Sequence, residues 1–208
     1  MELADVSIFS RHELFERLRE VRLRGFGGAR PYALAEFEIV EGLDADRVTP
    51  AQNYVLRDGV RLALELRERL SNWNIDPFSL NGGVTFRLSC DLSARTLIPP
   101  IIEESAEDDG RVIWLVSDGM HRIYAARSLS HSISVVLVRG SSFPYYAYPV
   151  ADGWLGVQEF DQLPDVHQKK DYRLPGNYKA LFRDYNGPFP NIQATRASSN
   201  PPSLKAGG

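Results

Sequence analysis

The run of residues from 111 to 138 constrains the fold more than any other part of the chain. It contains an apolar strand from Arg111 to Val116, a turn with a glycine, a short helix, and a second apolar strand from Ile133 to Val138. The second strand is almost continuously apolar, so both of its faces should be covered by other elements. The order strand, helix, strand predicts an α/β chain.

The turn Ser117–Arg122 is the candidate functional site of this sequence. When a strand leads into a glycine turn and a helix begins at once, several backbone amides lack an intrahelical partner and together attract an anion. Gly119 allows a close backbone approach or a positive φ angle, and Arg122 can fork onto phosphate oxygens. His121 can donate a hydrogen bond or move a proton near neutral pH. The predicted phosphate-binding residues are Ser117, Gly119, Met120, His121 and Arg122.

Asp118 needs a different role, because a carboxylate repels phosphate. It could cap the helix, orient His121 or Arg122, bind Mg²⁺ carried by the phosphates, or accept a proton from a hydroxyl nucleophile. The physical chemistry favours capping among these roles. Without a ligand, the whole motif would be an ordinary capped turn with a His–Arg pair on the surface.

Periodic segments elsewhere predict the remaining elements. A capping-box pattern at Ser10–Glu13 predicts a helix that ends before Gly25. Asp58 is the predicted N-cap of a second amphipathic helix, which runs to Leu70. Further predictions are a strand at Ala35–Val40, a turn at 81–83 followed by a strand at Val84–Leu88, an exposed acidic turn at Glu107–Gly110, and a helix at Asn177–Tyr185.

Composition excludes several classes of protein. A net charge of -3 and a pI near 5.8 argue against a chain that binds nucleic acid over its whole surface. The apolar runs are too short to span a bilayer and Met1–Asp5 lacks the features of a signal peptide, so we expect a cytoplasmic protein with no membrane partner. The single cysteine, Cys90, excludes a disulfide framework. The four histidines are not at ligand spacing, which disfavours a metal-dependent nuclease.

Residues 36 to 140 resemble the ParB/sulfiredoxin superfamily in the order of their elements. The similar parts are the run Leu97–Ile102, the strand, turn and helix from Val112 to Leu129, the closing strand Ile133–Val138, and an opening strand and proline loop at Ile39–Asn53. The resemblance implies a small α/β (α+β) fold, with a mixed sheet flanked by helices, that places nucleotide phosphates on the turn. ATP, ADP or CTP would be the ligand, with Mg²⁺ bound through Asp118.

The branches of the superfamily differ at this turn. Sulfiredoxins carry a catalytic cysteine where this chain has Met120, so sulfinic-acid repair is not expected. Chromosome-partitioning ParB proteins use a Gly-Glu-Arg-Arg turn and a following helix-turn-helix domain, which the proline-rich tail here does not resemble. Asp118–Arg122 is nearest in form to the Asp-Gly-His-Thr-Arg turn of free-serine kinases, in which an upstream glutamate activates serine. Glu36, Glu38 and Glu41 are candidates for that base; the predicted catalytic residues are Asp118, His121 and Glu41.

The leading hypothesis is therefore a nucleotide-binding ParB-like protein. If the protein is an enzyme, we expect it to be a phosphotransferase that uses a small-molecule acceptor, or a nucleotide hydrolase. The alternative is a non-catalytic regulatory or nucleic-acid-binding module that uses the basic, aromatic segment 165–205. A strap packed over the domain would explain that segment equally well. Its basic residues are Lys169, Lys170, Arg173, Lys179, Arg183, Arg196 and Lys205.

Three segments are predicted along the chain. Residues 1–30 form an N-terminal helix and linker, residues 31–150 a ParB/sulfiredoxin-like domain, and residues 151–208 an irregular extension. The stretch from Ala197 onward is poor in apolar residues, and we expect it to be flexible.

Overall fold

A computed structural model describes residues 3–89, 91–165, 167–168 and 170–192. The predicted flexible end lies outside these residues, as do Cys90, Lys169, Arg196 and Lys205. Within them the helices are α1 (Arg11–Arg19), α2 (Arg57–Ser71) and α3 (Met120–Ser128). The strands are β1 (Leu3–Ser10), β2 (Arg22–Leu23), β3 (Glu36–Leu43), β4 (Thr49–Pro50), β5 (Tyr54–Leu56), β6 (Gly82–Leu88), β7 (Asp91–Leu97), β8 (Ile101–Ala106), β9 (Val112–Asp118), β10 (Ile133–Arg139), β11 (Gln158–Phe160) and β12 (Arg183–Asp184). None of the described helices has the length and apolar character needed to cross a membrane.

A five-stranded mixed sheet forms the centre of the fold, in the order β3-β10-β8-β9-β4. The pairs β10–β8 and β9–β4 are parallel, whereas β3–β10 and β8–β9 are antiparallel. A second, antiparallel sheet has the order β1-β6-β7, and the short pairs β5–β11 and β2–β12 complete the pairing. The predicted α+β class with a mixed sheet and flanking helices is confirmed.

Strand β10 is covered on both faces, as its apolar sequence predicts. Val135 and Leu137 pack in one core cluster with the apolar residues of α3. Val136 and Val138 pack in another cluster, with Leu14 of α1. The central sheet is therefore a layer between α3 on one side and α1 on the other.

Helix α1 begins where the capping pattern places it. Ser10 is the N-cap, and its hydroxyl oxygen accepts a hydrogen bond from the Glu13 amide at 3.2 Å. The helix ends at Arg19 rather than near Gly25, because Leu23 belongs to β2 and pairs with β12. That pairing links two segments about 160 residues apart, which no local pattern encodes.

Two predictions around α2 and β6 are wrong. Leu56, not Asp58, is the N-cap of α2, since β5 runs directly into the helix and leaves Asp58 in the first turn. Gly82 and Gly83 lie inside β6 instead of in a turn. The ring of Phe9 occupies the space over Gly83, where an added Cβ would lie 1.9 Å from Phe9 Cζ. These glycines therefore serve strand packing rather than chain reversal.

Three further features differ from the sequence prediction. The segment 177–185 is not a helix: a short 3₁₀ turn at Tyr178–Leu181 leads into β12. Strands β1 and β7 were not predicted. Glu107 is buried rather than exposed, because it accepts hydrogen bonds from Arg173 at 2.6 and 2.8 Å. The division into three segments stays a prediction.

Candidate anion-binding cleft

The turn between β9 and α3 has the backbone geometry of an anion site. Strand β9 continues through Ser117 and Asp118, and Gly119 is the N-cap of α3 with φ of 85°. A Cβ at Gly119 would lie 2.7 Å from Pro100 Cβ, so both the φ angle and the space require glycine. Of the two uses that the sequence suggested for Gly119, the positive φ angle is observed. Since a glycine cap has no side chain, the first amides of α3 are left for solvent or a ligand.

Asp118 does not cap α3, so this favoured role is wrong. Its backbone is still part of β9, in register with Ile101 of β8. The next residue, Gly119, takes the cap position instead. The other possible roles of Asp118, as a metal ligand, an orienting group or a proton acceptor, stay predictions.

The turn opens into a cleft of about 340 Å³, a volume suited to a small molecule. One wall is the turn itself, and a second is the start of α2 with Leu56 and Gly59. The third wall combines Arg24 with residues that follow the central sheet in the sequence, namely Tyr145, Tyr146, Lys170, Phe182, Arg183, Tyr185 and Ile192.

His121 connects the first and second walls. Its Nε2 accepts a hydrogen bond from the Leu56 amide at 3.0 Å, and an added Cβ at Gly59 would lie 2.4 Å from His121 Cδ2. Burial lowers the pKa of His121 to about 4, although the charge of Asp118 opposes this shift. The imidazole is therefore neutral near pH 7, with its proton on Nδ1.

Ser117 and Met120 also line the cleft, but their side chains are engaged inside the fold. Met120 is buried in the core cluster beneath α3. The Ser117 hydroxyl donates to Glu103 Oε1 at 2.7 Å and lies 3.2 Å from the Tyr185 hydroxyl. Arg122 lines the cleft and donates to the carbonyl oxygen of Ile98. Gly119 and Arg122 are therefore the turn residues best placed to hold an anion.

A buried polar cluster lies against the end of β9 that leads into the turn. Arg183 donates to both carboxylate oxygens of Glu103, at 3.1 and 2.8 Å, and Tyr32 donates to Glu103 Oε1 at 2.6 Å. Burial alone would lower the pKa of Arg183, but the Glu103 carboxylate raises it above its ordinary value. Burial and the same carboxylate raise the pKa of Tyr32. The cluster joins β12, β8 and the Ser117 end of β9.

Sequence reasoning missed this cluster, although one signal for it was present. Glu103 directly follows Ile101 and Ile102 in a predicted apolar run, and a carboxylate within a buried strand requires a cationic or hydroxyl partner. The partners Tyr32 and Arg183 lie 71 and 80 residues away in sequence. The need for a partner was visible, but its identity was not.

The basic residues of the C-terminal segment, residues 170–192, have two kinds of surroundings. Arg183 and Arg173 belong to buried ion pairs, with Glu103 and Glu107 respectively. Lys170 instead lines the cleft, and Lys179 is exposed beside the ring of Tyr178. Much of this positive charge is therefore neutralised inside the fold, as expected of a strap packed on a domain.

The candidate base Glu41 is not brought to the turn. It is an exposed residue of β3, where it accepts a hydrogen bond from Asn81 at 2.8 Å and lies 3.7 Å from Arg11. Glu36 and Glu38 are also exposed on β3. Among the described residues that line the cleft, Asp118 is the one acidic side chain. Nor do the described ranges contain a group of three or more His, Cys, Asp or Glu residues able to hold a metal ion.

The fold and the cleft define a small α+β protein with a glycine-capped turn between a central strand and a helix. The family described as "ParB CE domain" matches residues 13–158, which is more than half of the chain, and the chain belongs to this family. The predicted ParB-like domain is confirmed. No curated protein and no solved structure matches the chain. The finer resemblance to free-serine kinases stays a prediction.

Proposed function

We propose that this ParB-family chain binds a nucleotide, with its phosphates at the N-terminus of α3. The observation that supports this most is the glycine cap at φ of 85° facing a cleft large enough for one small molecule. An uncapped helix start offers backbone amides and a partial positive charge, both of which favour phosphate oxygens.

Each polar residue of the turn has a role in this proposal. Arg122 adds a charge-assisted hydrogen bond to a phosphate oxygen. His121, neutral near pH 7, donates from Nδ1 while its Nε2 keeps the start of α2 in place. Asp118 is the ligand for Mg²⁺ carried by the phosphates, because Mg²⁺ commonly combines one or two carboxylates with substrate phosphates.

Nucleotide binding alone is better supported than phosphoryl transfer or hydrolysis. Transfer needs a group that orients or deprotonates the nucleophile, and Asp118 is the one carboxylate of the described cleft. Glu41, exposed and engaged with Asn81, gives no support to a role as base. We also do not extend the proposal to nucleic acid, since Arg173 and Arg183 are held in buried pairs.

A ligand screen tests the proposal directly. The full chain is melted with ATP, ADP, CTP and GTP, each with and without Mg²⁺, because a ligand that binds only the folded state raises the melting temperature. We expect one nucleotide to give a shift that grows with its concentration. A flat response to all of them would contradict the proposal.

Two variants on α3 then locate the site by calorimetry. Arg122→Ala should weaken the nucleotide about 10- to 100-fold, the effect of losing one charge-assisted hydrogen bond. Arg127→Ala is the matched control, since Arg127 lies on the same helix but pairs with Asp46 at 2.6 Å and does not line the cleft. Equal nucleotide affinity of the two variants would remove Arg122 from the site.

A third variant tests the metal role of Asp118. Asp118→Asn should abolish the Mg²⁺ dependence of nucleotide binding while leaving metal-free binding in place.

A further inference from the structure

The third wall of the cleft presents two cations that the phosphate turn does not use. Lys170 Nζ lies 4.5 Å from the centre of the Tyr146 ring and also donates to the hydroxyls of Tyr145 and Tyr146. The guanidinium carbon of Arg24 lies 5.7 Å from the centre of the Phe182 ring. The Tyr146 and Phe182 rings are themselves 4.5 Å apart, so the two cations belong to one patch.

Backbone pairing holds both cations in place. The Arg24 amide donates to the Phe182 carbonyl oxygen at 3.0 Å, which fixes β2 against the C-terminal segment. The chain after Lys170 runs beside Tyr146, since the Arg173 amide donates to the Tyr146 carbonyl oxygen at 3.1 Å. The positions of these charges therefore follow from the fold and not from flexible side chains alone.

Neither cation has an acidic partner among the described residues. The other arginines of this region show the contrast, because Arg173 and Arg183 each bind a buried carboxylate. The sequence from 193 to 208 contains no Asp or Glu that could supply a counter-charge. Aromatic faces attract cations but do not neutralise them, so the patch keeps a net positive charge beside the cleft.

We propose that Arg24 and Lys170 form a second oxyanion subsite, on the third wall of the cleft. This inference rests on the proposed nucleotide function. The shared ligand chemistry is a phosphate-type oxyanion from one of two sources. It is either a terminal phosphate of the nucleotide whose first phosphate lies on the turn, or the acidic group of a second molecule bound beside it.

The experiment measures calorimetric affinities of the full chain for AMP, ADP and ATP and for CMP, CDP and CTP. The variants are Lys170→Gln and Arg24→Gln. Their matched controls are Lys179→Gln, an exposed lysine of the same segment, and Arg22→Gln, an exposed arginine two residues before Arg24. Neither control residue lines the cleft. Thermal melting of every variant confirms that the fold is retained.

If the oxyanion is a phosphate of the nucleotide itself, Lys170→Gln and Arg24→Gln should each lower the affinity for the triphosphate about 10-fold or more. The affinity for the monophosphate should change less than about twofold. If the source is a second molecule, inorganic phosphate should bind to protein saturated with the monophosphate, and the two variants should abolish that binding. The inference is overturned if Lys170→Gln and Arg24→Gln have the same nucleotide affinities as their controls. It is also overturned if they lower the affinities for mono-, di- and triphosphates equally and inorganic phosphate does not bind separately.

Failure of the nucleotide proposal has its own signature. In that case the wild-type chain binds none of the six nucleotides and shows no shift of its melting temperature with GTP. Inorganic pyrophosphate alone then tests the patch, because its oxyanions need no nucleoside. Binding that disappears in Lys170→Gln and Arg24→Gln would support the subsite, and absence of pyrophosphate binding to the wild-type chain would refute it as well.

Discussion

Removing Arg183 should destabilise the chain more than removing any exposed arginine of the central sheet. Its side chain is 2% exposed and that of Glu103 is 3% exposed, and the two form a double hydrogen bond at 2.8 and 3.1 Å. In Arg183→Ala, Glu103 would keep the hydroxyls of Tyr32 and Ser117 but would lose the cation that neutralises it. A buried carboxylate left with hydroxyl partners alone is strongly disfavoured.

The magnitude follows from that burial. Breaking a buried ion pair by removing one partner costs about 3–5 kcal/mol, and the two remaining hydroxyl donors place our expectation near 3 kcal/mol. Urea denaturation followed by the fluorescence of the three tryptophans measures it. The control is Arg139→Gln, because Arg139 bridges Glu38 and Glu104 on the same sheet but is 35% exposed, so its loss should cost about 1 kcal/mol or less.

A double substitution separates the ion pair from packing. Glu103→Gln combined with Arg183→Met removes both charges together. Its loss of unfolding free energy should be smaller, by at least about 1 kcal/mol, than the summed losses of Glu103→Gln alone and Arg183→Met alone. The reasoning is refuted if Arg183→Ala loses no more stability than Arg139→Gln. It is equally refuted if the double substitution costs as much as the two single changes added.

The remaining predictions concern the geometry of the turn. Gly119→Ala should destabilise the chain by about 1–2 kcal/mol in urea and abolish nucleotide binding, because alanine disfavours φ of 85° and its Cβ would lie 2.7 Å from Pro100 Cβ. Gly59→Ala should cost about 1–3 kcal/mol by the same measurement, since its Cβ would displace the His121 ring from the Leu56 amide. His121 should also make stability depend on pH: burial lowers its pKa from 6.5 in the unfolded chain to about 4, so its contribution is complete above pH 6.5 and is lost as pH falls towards 4. That contribution is about 3 kcal/mol at most, and denaturation midpoints of His121→Gln should fall less steeply over this interval than those of the wild-type chain.

The parts of the fold that the sequence predicted are those that local chemistry decides. The Ser10 cap, the glycine at the start of α3 and the two-sided burial of β10 each follow from a few neighbouring residues. Gly119 was singled out because a residue without a Cβ can take a positive φ angle at no steric cost. The proposed anion site is local as well, since its donors would be consecutive amides.

The parts that were missed depend on pairing between distant segments. Strand β2 is only two residues long and exists because Leu23 pairs with Arg183, so its own sequence carries no strand signal. The predicted helix at 177–185 failed for the same reason, since pairing of its end with β2 outweighs the weak helical pattern. Asp118 was assigned to the cap, whereas β9 continues through this residue and the cap is one position later.

These distant pairings also bring residues from inside the family match together with residues that follow it in the sequence. The family match ends at residue 158, so Gly119, His121 and Arg122 lie inside the matched region, whereas Lys170 and Arg183 lie beyond it. Arg183 holds Glu103, which in turn accepts from Ser117 directly before the turn. In our proposal the matched region therefore supplies the phosphate turn and Arg24, and the segment after it both braces that turn through Arg183 and adds Lys170 beside Arg24.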